Sequence, residues 1–192
     1  TCALPIFCNG GTGSVALSAT GGTGSYTYGG DATSGLVAGT YNYTVTDANG
    51  CSASASATIN AAPDQLVLTA SASQILCNGG TGSVALSATG GTGSYTYGGD
   101  ATSALAAGTY NYTVTDANGC SASASATISA APDQLVLSAS ASQILCNGGT
   151  GSVALSATGG TGSYTYGGDA TIGLVAGTYN YTVTDVNGCS AS

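Results

Sequence analysis

The sequence repeats itself almost letter for letter. The string LCNGGTGSVALSATGGTGSYTYGGDAT begins at Leu76 and again at Leu145, and a copy differing only in its first letter begins at Phe7, so the period is 69 residues. Residues 8–76 and 77–145 differ at four positions: Gly35/Ala104, Val37/Ala106, Asn60/Ser129 and Thr69/Ser138. Copies this similar must fold alike, so each local structure is expected three times. Solenoid units run roughly 20–50 residues, and a 69-residue period predicts small domains joined end to end. Their ranges are 1–63, 64–132 and 133–192, the first lacking part of its first strand and the last most of its return strand. Linkers are expected around Ala61–Asp64 and Ala130–Asp133, short enough to hold neighbouring units nearly fixed as a rigid rod.

Within the central copy the hydrophobic pattern has period two, the mark of half-buried strands. Leu66, Leu68, Ala70 and Ala72 alternate with Val67, Thr69, Ser71 and Ser73, and Val84, Leu86 and Ala88 alternate with Ser83, Ala85, Ser87 and Thr89. A Gly90–Gly93 turn leads to a short strand over Ser94–Tyr97, and Leu105 is the one apolar anchor of the next connection. Tyr110, Tyr112 and Val114 share a face, Asn118-Gly119 supplies the positive φ of a hairpin turn, and Cys120, Ala122, Ala124, Ala126 and Ile128 point inward on the return strand. No helix is expected. The fold class is all-β: tandem small immunoglobulin-like antiparallel β-sandwiches, one per 69-residue repeat.

Composition removes whole classes of function. Lys, Arg, His, Met and Trp are absent, and the charge of −8 comes from eight Asp. Without His or Lys there is no Ser-His-Asp unit, imidazole metal site or Schiff base, so no enzyme is expected. Nucleic-acid binding depends on Lys and Arg, so nucleic acid is excluded as a partner. Apolar residues make up 43% of the chain, enough to form cores. No apolar run approaches the ~18 residues of a membrane span, so membrane insertion is not expected. The start TCALPIFCNGG lacks the basic region of a signal peptide, as in a mature chain or a fragment of one.

Seven Cys with no CxxC and no His fit disulfides in an oxidising, extracellular setting. Cys8, Cys77 and Cys146 precede the second strand of each copy, and Cys51, Cys120 and Cys189 follow the Asn-Gly turn 43 residues later. Pairing within each repeat, Cys8–Cys51, Cys77–Cys120 and Cys146–Cys189, would staple a core built largely of Ala and contribute roughly 4 kcal/mol per loop. Pairing between repeats, such as Cys51 with Cys77, would strand Cys8 and Cys189. Cys2 is left over either way. It replaces the Ser of Ser71 and Ser140, and together with the incomplete edge strands it could join neighbouring copies of the chain in a fibre. The alternative is a window cut from a longer tandem protein.

The segment CNGGTGSVALSATGGTGSYTYGG followed by AGTYNYTVTDANGC resembles the repeat of the SprB-type gliding adhesins of Bacteroidetes. The likeness covers nearly the whole chain three times, through Cys-Asn-Gly-Gly, Gly-Gly-Thr-Gly-x-Tyr-x-Tyr and Ala107–Cys120. It implies a long cell-surface protein exported by type IX secretion and serving adhesion, gliding or filament formation without catalysis. Members usually carry a Trp-bearing segment where this chain has Gly98-Gly99, and often Pro at Ser94.

Each repeat has four Tyr, in the central one Tyr95, Tyr97, Tyr110 and Tyr112. With no Trp and one Phe, Tyr is the bulky residue available to fill each sandwich; the alternative is a sugar-stacking platform, for which Tyr95 and Tyr97 are the candidates, with surface glycans as partners. Asp116 and Asn118 resemble a fragment of a calcium loop, but calcium wants six or more oxygens, so no cofactor is required. The sequons at Asn42, Asn111 and Asn180 read as chance. Outward Ser and Thr at alternate positions raise ice binding as a remote alternative, although exposed strands favour Thr in general.

Overall fold

The computed structural model describes residues 2–192; Thr1, the first residue of range 1–63, lies outside the described residues. Every regular element among the described residues is a β-strand. The first repeat contributes β1 (Cys2–Leu4), β2 (Ser14–Ala16), β3 (Thr27–Gly30), β4 (Gly39–Thr46) and β5 (Ser52–Ile59). The second contributes β6 (Val67–Ser73), β7 (Ser83–Thr89), β8 (Thr96–Gly99), β9 (Gly108–Thr115) and β10 (Ser121–Ile128). In the third come β11 (Val136–Ala141), β12 (Gly151–Thr158), β13 (Thr165–Gly168), β14 (Ile172–Leu174), β15 (Tyr181–Thr184) and β16 (Ser190–Ala191). Each repeat is built on the same two antiparallel sheets. One pairs the first two strands, as in β1–β2 and β6–β7, with β14 added beside β12 in the third repeat (β11–β12–β14), and the other is three-stranded, as in β3–β4–β5, β8–β9–β10 and β13–β15–β16. The chain is therefore all-β and organised as tandem β-sandwich repeats.

Period-two patterning places the core as the sequence leads one to expect. Tyr112 and Val114 on β9, Ala126 and Ile128 on β10, Leu66, Leu68 and Val84 are all buried, with Val67, Thr113 and Thr127 between them exposed. In the first repeat Ile6, Val15, Leu36, Tyr43, Ala57 and Ile59 form one apolar cluster. The single apolar anchor of the long connection is also buried: Leu105 and Gly82 exchange backbone hydrogen bonds of 2.8 and 3.0 Å, as Leu36 does with Gly13. With no cation in the chain, no ion pair assists. Burial of apolar area, at about 25 cal/mol per Å², is left as the main driving force.

The third strand differs from expectation. It runs over Thr96–Gly99 rather than Ser94–Tyr97, so Gly98 and Gly99 lie inside it. Their missing side chains permit this: a Cβ on Gly99, which sits at φ 110°, would collide with the Asn111 carbonyl, and one on Gly98 would lie 3.1 Å from the Thr113 hydroxyl. Gly-Gly therefore serves close strand approach.

Compactness does not follow the ranges 1–63, 64–132 and 133–192. One compact unit comprises the chain up to Thr69 with Leu86–Gly99 and Asn111–Ala124; the other comprises Ala70–Ala85, Asp100–Tyr110 and Ser125–Ser192. The boundaries between the units fall within β6, β7, β9 and β10 of the central repeat.

One backbone position conflicts with its residue. Ala104 sits at φ 55°, where the other two repeats place Gly35 at 68° and Gly173 at 71°. A side chain in the left-handed region costs about 1 kcal/mol. Ala104→Gly should therefore raise stability by about 0.5–1 kcal/mol, seen as a higher denaturation midpoint in guanidinium, whereas Gly35→Ala should lower it.

Candidate functional site

The turn in front of each late cysteine is organised by one aspartate. In the central repeat the Asp116 carboxylate accepts hydrogen bonds from the backbone N–H groups of Asn118 and Cys120 through Oδ1, both 2.9 Å, and of Thr92 through Oδ2, 2.8 Å. Asp47 and Asp185 repeat the pattern with Thr23 and Thr161. One carboxylate thus ties the Gly-Gly-Thr-Gly loop to the cysteine turn. Gly22, Gly91 and Gly160 make room for it, since a Cβ there would lie 2.7–2.9 Å from a carboxylate oxygen. Asp116 and Asp185 are buried, which by itself would raise their carboxyl pKa, yet the surrounding N–H donors hold both below the ordinary carboxylate range. For Asp47 the leading cause is the Thr23 N–H.

This geometry bears on Asp116 and Asn118, the residues that resemble a fragment of a calcium loop. Both carboxylate oxygens face backbone N–H donors, whose polarity suits an anion and opposes a cation, and the Asn118 side-chain amide donates to the Phe7 carbonyl at 3.4 Å. Among the described residues no three acidic, Cys or His side chains gather into a metal-binding group.

The cysteines pair differently from the expectation. The bonds are Cys8–Cys120 and Cys77–Cys189, each spanning 112 residues with Cα atoms 5.7 and 5.6 Å apart, and Cys2, Cys51 and Cys146 are free thiols. None of the within-repeat pairs Cys8–Cys51, Cys77–Cys120 or Cys146–Cys189 forms. The obstacle is strand length. The loop carrying Cys8 lies at the Gly39/Ile59 end of the β4–β5 hairpin, where Gly13 touches Ile59, while Cys51 sits at its Thr46/Ser52 end. Eight residues of strand separate those ends by about 26 Å, far beyond the reach of a disulfide.

Hydrogen bonds flank each bridge. Asn118 Nδ2 donates to the Phe7 carbonyl and Asn9 Nδ2 to the Pro63 carbonyl at 3.1 Å; Asn187 donates to Leu76 at 3.3 Å and Asn78 to Pro132 at 3.0 Å. Residues 7–8 and 76–77 thus clasp the repeat that follows, while Asn9 and Asn78 bond the last residue of their own repeat. Sequence reasoning missed this clasp, although a signal existed in the recurrence of Asp-x-Asn-Gly-Cys and Cys-Asn in every copy.

The tyrosines are chiefly structural. Tyr112, Tyr43 and Tyr181 are buried, and burial, with a neighbouring Asp carboxylate, raises the phenol pKa of Tyr43 and Tyr181. Tyr95 donates to the Gly90 carbonyl at 2.6 Å and Tyr110 to Ala106 at 3.1 Å, so Tyr95 is half-buried with its hydroxyl engaged. Tyr97 differs: it is 44% exposed, as is Tyr28, and Tyr166 is 42% exposed. The sequon residues Asn42, Asn111 and Asn180 are exposed.

Comparison with protein families places these features in a known class of repeat. The SprB repeat model matches residues 4–29, 69–99 and 138–169, one match in the front part of each copy. Three segments of the chain thus match the SprB repeat, a repeat of surface adhesin-type proteins. Neither the curated proteins nor the solved structures include a match to it.

Two outcomes follow from the clasp and its aspartate. Non-reducing peptide maps should recover Cys8–Cys120 and Cys77–Cys189, with Cys51 and Cys146 alkylated, and Cys120→Ser should cost about 4–5 kcal/mol because the lost loop exceeds 100 residues. The lowered carboxyl pKa values contribute stability that is complete above the unfolded-state value near ~4 and is lost as pH falls through it towards the folded value. Denaturation midpoints should accordingly be flat from pH 7 to about 5 and then decline, and Asp116→Asn should weaken that acid dependence.

Proposed function

We propose that the chain is a segment of an extracellular bacterial surface fibre that serves attachment or gliding. The three SprB matches carry this reading. Disulfides that each span 112 residues support it, since they suit an oxidising exterior and tie consecutive repeats covalently, as a load-bearing filament requires. The absence of Lys and Arg adds resistance to trypsin-like proteases. Antibody against the chain should label intact cells of the source organism, and deletion of the gene should reduce attachment under flow. Label confined to permeabilised cells would overturn the proposal.

A second reading, a glycan-binding adhesin module, is favoured by the exposed Tyr28, Tyr97 and Tyr166, one per repeat. Tyr28 borders a shallow groove of about 220 Å³ with Leu17, Thr20 and Ala53. A glycan array should separate the two: signal abolished by replacing all three tyrosines with Ser supports the module, and a blank array leaves the fibre alone.

A further inference from the structure

The two bridges overlap along the chain. Each spans 112 residues while the sequence repeats every 69, so the loops closed by Cys8–Cys120 and Cys77–Cys189 share residues 77–120. Between Cys8 and Cys189 every peptide bond therefore lies inside at least one closed loop. The coil at residues 60–66, between β5 and β6, falls inside the first loop, and the coil at 129–135, between β10 and β11, inside the second. The exposed connection at residues 100–104 falls inside both.

Pairing within each repeat would close Cys8–Cys51 and Cys77–Cys120 and leave residues 52–76, with their coil, as a single covalent strand. The observed pairing gives up those short staples and spans the coils instead. A pull applied at Cys8 and Cys189 consequently meets two covalent routes. One follows the chain from Cys8 to Cys77 and crosses to Cys189; the other crosses from Cys8 to Cys120 and follows the chain to Cys189. Each route contains 69 residues, from 8 to 77 or from 120 to 189, against 181 from 8 to 189 along the backbone. At no more than about 3.6 Å per residue, the unfolded span between these cysteines is limited to about 250 Å rather than about 650 Å.

We propose that the overlapping bridges make this segment a tether with two covalent routes, which limits its extension under load and keeps it continuous between Cys8 and Cys189 after any single cut of the backbone. Hydrolysis of one peptide bond takes up one water and leaves a new carboxylate and a new amine. Both fragments remain joined: after a cut at residue 60 by Cys8–Cys120, at 129 by Cys77–Cys189, and at 103 by both. Exposed loops are where proteases nick a folded chain. The lack of Lys and Arg removes trypsin-like enzymes, but connections rich in Ala, Gly and Ser stay open to proteases that cut beside small residues. The benefit to a fibre rests on the fibre reading, which the double route deepens; the double route itself is measured on the isolated chain.

In a chain without Lys or Arg, one introduced Lys is the one trypsin site, so the cut can be placed at will. Asn60→Lys, Ser103→Lys and Ser129→Lys each put it at an exposed residue. Each full chain is checked for the parent's far-UV spectrum, its free thiols are alkylated, and it is digested in urea without reductant; a reduced sample confirms the cut. Every nicked chain should keep the mass of the whole, 18.1 kDa plus one water, and part into two fragments only on reduction. Adding Cys120→Ser should separate the fragments of Asn60→Lys and leave those of Ser129→Lys joined. Held by its ends in a force-spectroscopy measurement, nicked Asn60→Lys should stay tethered, and the uncut parent should gain about 400 Å of unfolded length on reduction. Fragments that separate without reductant, a nicked tether that parts, or a parent that gains no length on reduction overturns the proposal. A double route that holds in a chain never found on intact cells would reject the fibre role alone, and fragments that separate would reject the double route alone.

Discussion

The front cysteine of one repeat and the late cysteine of the next are joined because they lie at the same place in the fold, whereas the two cysteines of one repeat lie at opposite ends of a hairpin. Everything distinctive about the chain depends on that separation. A 69-residue copy with Ala along much of its return strand buries little apolar surface, and its cysteines cannot compensate locally. The cross-link therefore goes to the neighbouring copy and encloses 112 residues. The repeat is the unit of sequence, and the clasp between successive repeats is the unit of covalent structure.

Electrostatics in a chain with no cation takes an uncommon form. No side chain can neutralise a buried carboxylate, so Asp47, Asp116 and Asp185 are stabilised by backbone N–H groups alone. Such an aspartate fixes the cysteine turn and the Gly-Gly-Thr-Gly loop in one step, which presents the thiol in a set direction. The tyrosines complement it. Lacking Trp, the fold uses buried rings for volume and hydroxyl-to-carbonyl bonds such as Tyr95 to Gly90 to pin its loops.

Period-two alternation, the glycine turns and the repeat itself made the strands, the buried Tyr112–Val114 face and the Leu105 anchor legible in advance, because burial on one side of a sheet is a local pattern. The third strand was misplaced by two residues, since Gly98 and Gly99 look like a turn until the Asn111 backbone is seen against them. Asp116-x-Asn118 was legible as a motif, but its role in binding backbone N–H groups was not. A carboxylate's role depends on whether cations or N–H groups face it, and Thr92, the donor that decides this, lies 24 residues away.

By itself the sequence determined the all-β class, the three equivalent copies, the absence of any basic or imidazole chemistry and the likeness to SprB repeats. Each of these is a property of composition or of neighbours along the chain. Tertiary structure alone decided which cysteines pair, which tyrosine stays exposed and where the compact units divide. Spacing along the chain measures the entropy of closing a loop, and two cysteines 43 residues apart look well placed by that measure. Only the direction and length of the intervening strands reveal that they lie at opposite ends of a hairpin about 26 Å long, while a partner 112 residues distant stands within 6 Å.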